Sequence, residues 1–226
     1  MKLRLVSILA IATSISFAAD MTADFSIVNG NPNGAWSYGY KSNLAGSFNA
    51  LTNTSTVNFG SGTFDVWNTP LVPDLHVAQL TSGTMNGYNG GVGGVAVGET
   101  TMHGGPNGEL STTRFTVGAS GLYNLSGFFK SGDALGSVYG NIDGYLYHNS
   151  TVLYSTLNTG VTQSFSLSSV SLLAGDTLDL MVGMGQDQYF YDTTPVNLTI
   201  TAVPEPGTIA VLGLGAVALL RRRKSA

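Results

Sequence analysis

Cysteine is absent from the 226 residues, and charged residues are scarce. Without cysteine the chain has no disulfide framework, no thiolate metal site and no cysteine nucleophile, so its stability must come from an ordinary packed core. Charged side chains make up only 10% of the sequence, with nine Lys and Arg against thirteen Asp and Glu. The chain must therefore depend for its solubility mainly on Asn, Ser, Thr and Gly.

The few basic residues are concentrated at the two ends of the chain. Between residues 19 and 203 only Lys41, Arg114 and Lys130 remain, against twelve acidic residues, which gives this part a formal charge of −9. Three scattered cations cannot neutralise a row of phosphates. The sequence therefore excludes nucleic acid as a partner.

The N-terminus has the pattern of a secretory signal peptide. Two cations precede an apolar segment from Leu5 to about Ile15, and small residues follow at Ser16 and Ala18. This order predicts a signal peptide over residues 1–18, removed by signal peptidase after Ala18.

Period-two alternation dominates the middle of the chain. Apolar residues alternate with polar ones in STTRFTV (111–117), VTQSFSLS (161–168) and PVNLTITA (195–202), and turn-forming clusters recur about every ten to fifteen residues. The pattern predicts an all-β domain over residues 19–202, an antiparallel β-sandwich of jelly-roll type. The glycine-rich stretch 81–94 predicts a long surface loop.

The C-terminus, VPEPGTIAVLGLGAVALLRRRKSA, combines a proline triplet, an apolar run and a basic block. As a helix, the thirteen uncharged residues 208–220 would extend about 20 Å. A hydrocarbon core is about 30 Å thick, so a span needs snorkelling side chains and local thinning of the bilayer. We predict a short transmembrane helix in the inner membrane, stopped on the cytoplasmic side by Arg221, Arg222, Arg223 and Lys224.

Residues 203–226 resemble the PEP-CTERM sorting signal of Gram-negative bacteria. The resemblance implies an exosortase, a membrane cysteine transpeptidase, as the processing enzyme, with Pro204, Glu205 and Pro206 as substrate residues. Two prolines around one residue forbid regular helix or sheet and leave an accessible peptide. An ordinary single-pass anchor is the alternative. Either interpretation places the domain outside the cytoplasm, as an anchored precursor and then at the cell surface or in the biofilm matrix.

The domain itself resembles carbohydrate-binding jelly rolls found in exported PEP-CTERM proteins. The segments ADFSIVNGNPNGAWSYGY (23–40) and LLAGDTLDLMVGMGQDQYFYDTTPVNLTI (172–200) carry the resemblance. Their signature positions are turns and core residues, so the resemblance implies a fold more than a ligand.

Sugar binding by such a domain would depend on aromatic rings, which stack on the apolar face of a pyranose while polar groups take its hydroxyls. The candidate glycan contacts are Trp36, Tyr145, Tyr147, Tyr189 and Tyr191. For Trp36 and Tyr38 the alternative is that alternate aromatic residues fill the core.

Two oxygen-rich groups suggest further chemistry. A structural Ca²⁺ ion, the one cofactor considered, would take its ligands from Asn141, Asp143, Asp187 and Asp192, for which solvated turn residues are the alternative. In MHGGPNGE (102–109), His103 and Glu109 surround a turn, and the sequence favours a tight loop with glycines at positive φ over a metal or acid/base site.

Catalytic motifs such as G-x-S-x-G, a P-loop or H-E-x-x-H are absent. We therefore predict a non-enzymatic exported protein with a structural or adhesive role and weak binding to a polysaccharide. A glycan-active hydrolase is the competing class, and it requires two carboxylates about 5–10 Å apart. Asp176 and Asp179 are close in sequence, but Asp176 is expected to cap a turn. A minor alternative is an ice-binding surface, suggested by Thr52, Thr54 and Thr56.

Overall fold

A computed structural model describes residues 17–85, 94–130, 132, 141–186 and 189–204. Every regular element in these ranges is a β-strand. None of the chain described forms a helix of sufficient length and apolarity to cross a membrane. The predicted C-terminal helix and residues 1–16 of the predicted signal peptide lie outside these ranges.

Fourteen strands are described: β1 (Ala18–Asp20), β2 (Trp36–Lys41), β3 (Asn49–Ala50), β4 (Asn53–Phe59), β5 (Ser61–Asn68), β6 (His76–Thr84), β7 (Thr100–His103), β8 (Leu110–Thr116), β9 (Gly121–Phe129), β10 (Ile142–His148), β11 (Thr151–Thr159), β12 (Gln163–Leu172), β13 (Thr177–Gly183) and β14 (Thr194–Ala202). The first sheet has the order β12-β9-β14-β7-β6-β5-β4, with β1 also paired to β14. The second sheet has the order β11-β10-β13-β8-β2-β3. All these pairings are antiparallel.

One apolar core joins the two sheets. The ring of Tyr154 in the second sheet lies against Phe165 in the first, with centroids 4.9 Å apart. Within the second sheet, Trp36 packs edge-on against Phe115. Full burial of a side chain such as Phe115 contributes about 1.5–3 kcal/mol to the stability of the fold. The predicted antiparallel β-sandwich is confirmed.

The alternation predicted the buried faces of β14 and β8 correctly, but it did not predict the burial of Thr112 on the other face of β8. In β14 the side chains of Val196, Leu198 and Ile200 are buried, as expected. In β8 the threonines on both faces, Thr112 and Thr113, are fully buried. The outer face is covered because Phe48 lies over Gly39, the residue paired with Thr112, where a Cβ atom would collide with the Phe48 ring.

The predicted loop at 81–94 is wrong for its first residues. Strand β6 continues to Thr84, and Met85 then pairs with Val95. Gly83, at φ 78°, lies so close to the Ser61 carbonyl that any side chain there would collide with it. Glycine therefore serves a close approach of two strands in this place, rather than a loop.

A buried charge cluster lies at β2, β8 and β13. The Asp179 carboxylate is fully buried, and Arg114 donates to both of its oxygens, from Nε at 2.7 Å and from Nη2 at 2.8 Å. The Lys41 Nζ atom lies 3.0 Å from Asp179 Oδ2. These side chains form the Asp179 cluster, in which two cations surround one carboxylate.

The first and last strands of the sandwich lie side by side. Ala18 pairs with Thr201, and the Ala202 N–H donates to the Phe17 carbonyl at 2.9 Å. Next to them, Met21 is fully buried in the core. The chain therefore enters and leaves the domain at one place.

Asp20 joins these two strands through its side chain. Thr199 Oγ1 and Asn197 Nδ2 donate to Asp20 Oδ2 at 2.7 and 3.0 Å, and the N–H groups of Thr22 and Ala23 donate to Oδ1. Burial alone would raise the pKa of Asp20, but these hydrogen bonds hold it below its usual value. The carboxylate is thus kept ionised where the predicted mature chain begins.

Candidate functional site

A cavity of about 820 Å³ lies against β4, β5 and β6 of the first sheet. Its floor is apolar and consists of Val57, Phe59, Phe64, Val66, Ala78 and Met85. Four of these side chains belong to a small apolar cluster separate from the main core. Strand β5 has apolar residues on both faces, because Val66 faces the cavity while Trp67 joins the core. The cavity has the size of a small-molecule site, about 300–1,000 Å³.

Three consecutive aromatic residues between β13 and β14 form one wall of the cavity: Tyr189, Phe190 and Tyr191. The rings of Tyr189 and Phe190 are 4.1 Å apart, and Phe190 is 50% exposed. Tyr191 has φ 69°, the left-handed region that bulky residues rarely adopt. This wall offers flat apolar surface to a ligand.

Two stacked histidines form part of the polar lining. His76 and His103 are cross-strand partners with ring centroids 5.5 Å apart. Their Nδ1 atoms lie 2.7 Å from the carbonyl oxygens of Asp74 and Gly104. Since a carbonyl can only accept, each Nδ1 carries a proton, so Nε2 is the unprotonated nitrogen whenever such a ring is neutral.

The cavity is poor in charge. Burial and the neighbouring His103 lower the pKa of His76 to about 4, so His76 is uncharged at neutral pH. Asp74 is an exposed carboxylate on the lining. The remaining polar side chains around the cavity are uncharged: Asn53, Asn68, Thr69, Thr101 and Thr193.

The displaced pKa of His76 predicts acid sensitivity of the fold. Between about pH 6.5 and 4 the unfolded chain binds a proton at this residue that the folded chain does not, so stability falls as the pH falls through this window. We expect the His76→Asn variant to lose less thermal stability than the parent between pH 7 and pH 4.5. Thermal unfolding at four pH values measures this. The matched control is His148→Asn, outside the cavity, and an unchanged slope in His76→Asn would refute the prediction.

The structure divides the predicted glycan contacts. Tyr189 and Tyr191 line the cavity. Trp36 is only 2% exposed, its ring packs on Phe115, and its Nε1–H donates to Asp24 at 3.0 Å. Trp36 is therefore a core residue, as the alternative interpretation predicted, and not a glycan contact, because the alternate aromatic positions of β2 face the core.

Tyr145 and Tyr147 lie in the second sheet, on one face of β10 with Asp143. The Tyr145 hydroxyl donates to Asp143 Oδ2 at 3.2 Å, and the two rings are 6.3 Å apart. Burial, followed by the Asp143 charge, raises the pKa of Tyr145 to about 12. These residues form a patch that shares no side chain with the cavity, and their contact with a glycan stays a prediction.

The predicted calcium ligands are not seen as a group. Asp187 lies outside the described residues, Asp192 is fully buried, and Asp143 accepts from Tyr145. Among the described residues no three His, Cys, Asp or Glu side chains come together in a way that could hold a metal. The calcium site stays a prediction without support from this geometry.

Two turn predictions are confirmed. After His103 the chain forms a tight loop in which Gly108 has φ 87° and the Asn107 N–H donates to Glu109. Asp176 caps the turn before β13, where it accepts from the Leu173 N–H at 2.8 Å. Hydrogen bonds from Asn149, Leu173 and His148 lower the pKa of Asp176 to about 2.

The threonines of the ice-binding alternative do not form a flat array. Thr52 precedes β4, and the Thr56 hydroxyl donates to Asp65 at 2.8 Å. On the neighbouring strand, the partners of Thr54 and Thr56 are Trp67 and Asp65. A regular threonine surface would require threonines there, so this geometry counts against ice binding.

The sequence did not predict the cavity's floor or the role of His76, and it predicted His103 only as part of a tight loop. Strands β5 and β6 show weak alternation because both of their faces carry buried residues. The pairing of His76 with His103 across β6 and β7 has no local signal in the sequence.

Comparison with known proteins identifies the C-terminal segment. Residues 202–224 match the PEP-CTERM protein-sorting motif, which confirms the resemblance seen in the sequence. The motif is that of an exported protein that is anchored and processed at the membrane. The comparison with curated proteins gave no match.

Several solved structures are similar to part of this chain. GITRL from pika is 19% identical, with a TM-score of 0.30 over 42% of this chain and 79% of its own. The CBM51 module of Clostridium perfringens GH95, solved with methyl-galactose, is 14% identical, with a TM-score of 0.33 over 66% and 94%. The Podospora anserina GH26-CBM35 β-(1,4)-mannanase is 17% identical, with a TM-score of 0.32 over 65% and 29%. Scores this low carry no argument about function.

Proposed function

We propose that this chain, which carries a PEP-CTERM protein-sorting motif, is a non-catalytic protein of the cell surface or extracellular matrix that binds glycans in the cavity beside β4, β5 and β6. The motif begins at residue 202, where β14 ends, and Pro204 is exposed. An exosortase could therefore reach the peptide without unfolding the sandwich. The proposal also includes two steps before sorting: cleavage by signal peptidase after Ala18, and anchoring of the precursor in the inner membrane. We further propose that the sandwich is of jelly-roll type.

The observation that carries the glycan proposal is that an aromatic wall and uncharged polar groups line the same cavity. Tyr189 and Phe190 offer flat apolar surface to the C–H face of a sugar ring. His76 and Asn68 line the same cavity and can exchange hydrogen bonds with hydroxyl groups. The arrangement combines an apolar surface with a few polar groups, as ligand sites generally do.

The carboxylates favour binding over hydrolysis. A glycosidase needs two carboxyl groups across the sugar, one with a raised pKa. Among the described residues that line the cavity, Asp74 is the one carboxylate. Among the described residues, hydrogen bonds hold the pKa values of Asp20 and Asp176 below their usual range, the opposite of the shift that a general acid needs. A hydrolase would require a different arrangement.

Intact mass tests the sorting half of the proposal. The mature protein would be isolated from the cell envelope and from the surrounding matrix, and compared with the mass of residues 19–226. We expect a species that ends near Val203 to Pro206, with or without an attached group. A full-length C-terminus confined to the membrane fraction would show an ordinary anchored protein instead.

Binding to neutral and acidic polysaccharides tests the glycan half. We expect the double variant Tyr189→Ala/Phe190→Ala to bind at least about fivefold more weakly than the parent, since each ring contact contributes about 0.5–1.5 kcal/mol. Affinity electrophoresis and calorimetry measure the change. Tyr147→Ala, on the other sheet, is the matched control. If Tyr147→Ala abolished binding and the double variant did not, the patch on β10 would be the site.

A further inference from the structure

All three basic side chains between residues 19 and 203 are engaged in ion pairs. Lys41 and Arg114 both contact Asp179, and Lys130 Nζ lies 3.0 Å from both carboxylate oxygens of Glu99. Proteins hold carboxylate or sulfate groups of a ligand by charge-assisted hydrogen bonds, chiefly from Arg and Lys. No Lys or Arg side chain between residues 19 and 203 lies outside an ion pair.

The cavity adds a charge of the wrong sign for an anion. Asp74 is exposed on its lining, and its backbone carbonyl accepts from His76 Nδ1, which leaves the neutral ring of His76 facing the cavity without a positive charge. The floor is apolar, so an anion placed there would lose water without gaining a counter-charge. Residues 19–203 as a whole carry a formal charge of −9.

We propose that the cavity selects uncharged sugars and rejects polysaccharides that carry uronate or sulfate groups. This inference rests on the proposed glycan binding and narrows its ligand class. A neutral sugar ring places its C–H face on Tyr189 and Phe190 and its hydroxyl groups against His76 and Asn68. A uronate ring of the same shape brings its carboxylate into a site that has Asp74 and no cation.

A matched pair of polymers tests the selection. The mature protein is screened against neutral glucans, mannans and galactans and against polygalacturonate, in EDTA. The neutral polymer that binds best is then oxidised at C6, which converts its hydroxymethyl groups to carboxylates on the same backbone. We expect the oxidised form to bind at least about tenfold more weakly, and the neutral form to bind equally well at 50 and 500 mM salt.

The outcomes separate this inference from the proposed function. Equal or tighter binding of the oxidised polymer would overturn the selection for neutral sugars while glycan binding stood. Failure of every polymer, neutral or acidic, would overturn both. Uronate binding that appears only when calcium replaces EDTA would also overturn the inference, since a metal would then supply the missing charge.

A gained cation provides a second test. Asn53 is exposed on β4 and lines the cavity, whereas its neighbour Thr54 points to the opposite face of the strand. We expect Asn53→Lys to raise the affinity for the oxidised polymer relative to the neutral one by about fivefold or more, with a salt dependence that the parent lacks. The matched control is Thr54→Lys, which should leave the ratio unchanged. An unchanged ratio in Asn53→Lys would count against selection by charge.

Discussion

Replacing Asp179 by Asn is expected to lower the free energy of unfolding by about 3–5 kcal/mol. The substitution keeps the shape of the side chain but removes the one negative charge that Lys41 and Arg114 share. Lys41 is only 6% exposed, so its ammonium group would stay buried without a counter-charge. Urea unfolding and calorimetry measure the loss. In a protein of this size the melting temperature falls by about 2–4 °C for each kcal/mol lost.

A second ion pair in the same chain serves as the control. Lys130 and Glu99 are about a quarter exposed, and Glu99→Gln should cost no more than about 1 kcal/mol. Changing Lys41 to Met in the Asp179→Asn background should recover part of the loss, because the unpaired charge is removed as well. A loss for Asp179→Asn as small as that for Glu99→Gln would show that solvent reaches the Asp179 cluster.

A chain that begins at Phe25 instead of Ala19 is expected to lose at least about 2–5 kcal/mol of stability, the usual cost of removing a buried side chain such as Met21. The truncation also removes Asp24, whose carboxylate accepts from the buried Trp36 indole. An unsatisfied buried donor adds about 1–3 kcal/mol to the cost. The hydrogen bonds that join Asp20 to β14 are lost as well.

The measurement compares the urea midpoints of two purified chains, residues 19–204 and 25–204. Met21→Ala and Asp20→Asn in the longer chain separate the apolar part of the loss from the polar part. Because the pKa of Asp20 is held down, its share of the stability is present above about pH 4, the ordinary carboxyl value, and is lost as the pH falls below it. Equal midpoints for the two chains would mean that β1 does not stabilise the sandwich.

The sequence predicted the parts of the fold that depend on local alternation. Val196, Leu198 and Ile200 lie on one face of β14 because every second residue of a strand points the same way. The turn at Asp176 could also be predicted, since Asp176 accepts a hydrogen bond from Leu173, three residues earlier. In each case the physical cause lies within a few residues of the feature.

Features made by distant residues could not be predicted in this way. Lys41, Arg114 and Asp179 come from three strands, and nothing in the sequence pairs them. The cavity joins the floor of β4, β5 and β6 to an aromatic wall that lies more than a hundred residues later. Of these two parts only the wall had a signal, because three consecutive aromatic residues between acidic ones stand out in a chain with few charged residues.

The length of β14 sets the distance between one edge of the cavity and the sorting motif. The strand starts next to Thr193, which lines the cavity, and ends at Ala202, where the sorting motif begins. Nine residues of β-strand span about 30 Å, about the thickness of a hydrocarbon core. In the attached form proposed above, the edge of the cavity at Thr193 would lie about that far along the strand from the point of attachment. A long polymer could then be engaged without threading between the protein and the surface that carries it.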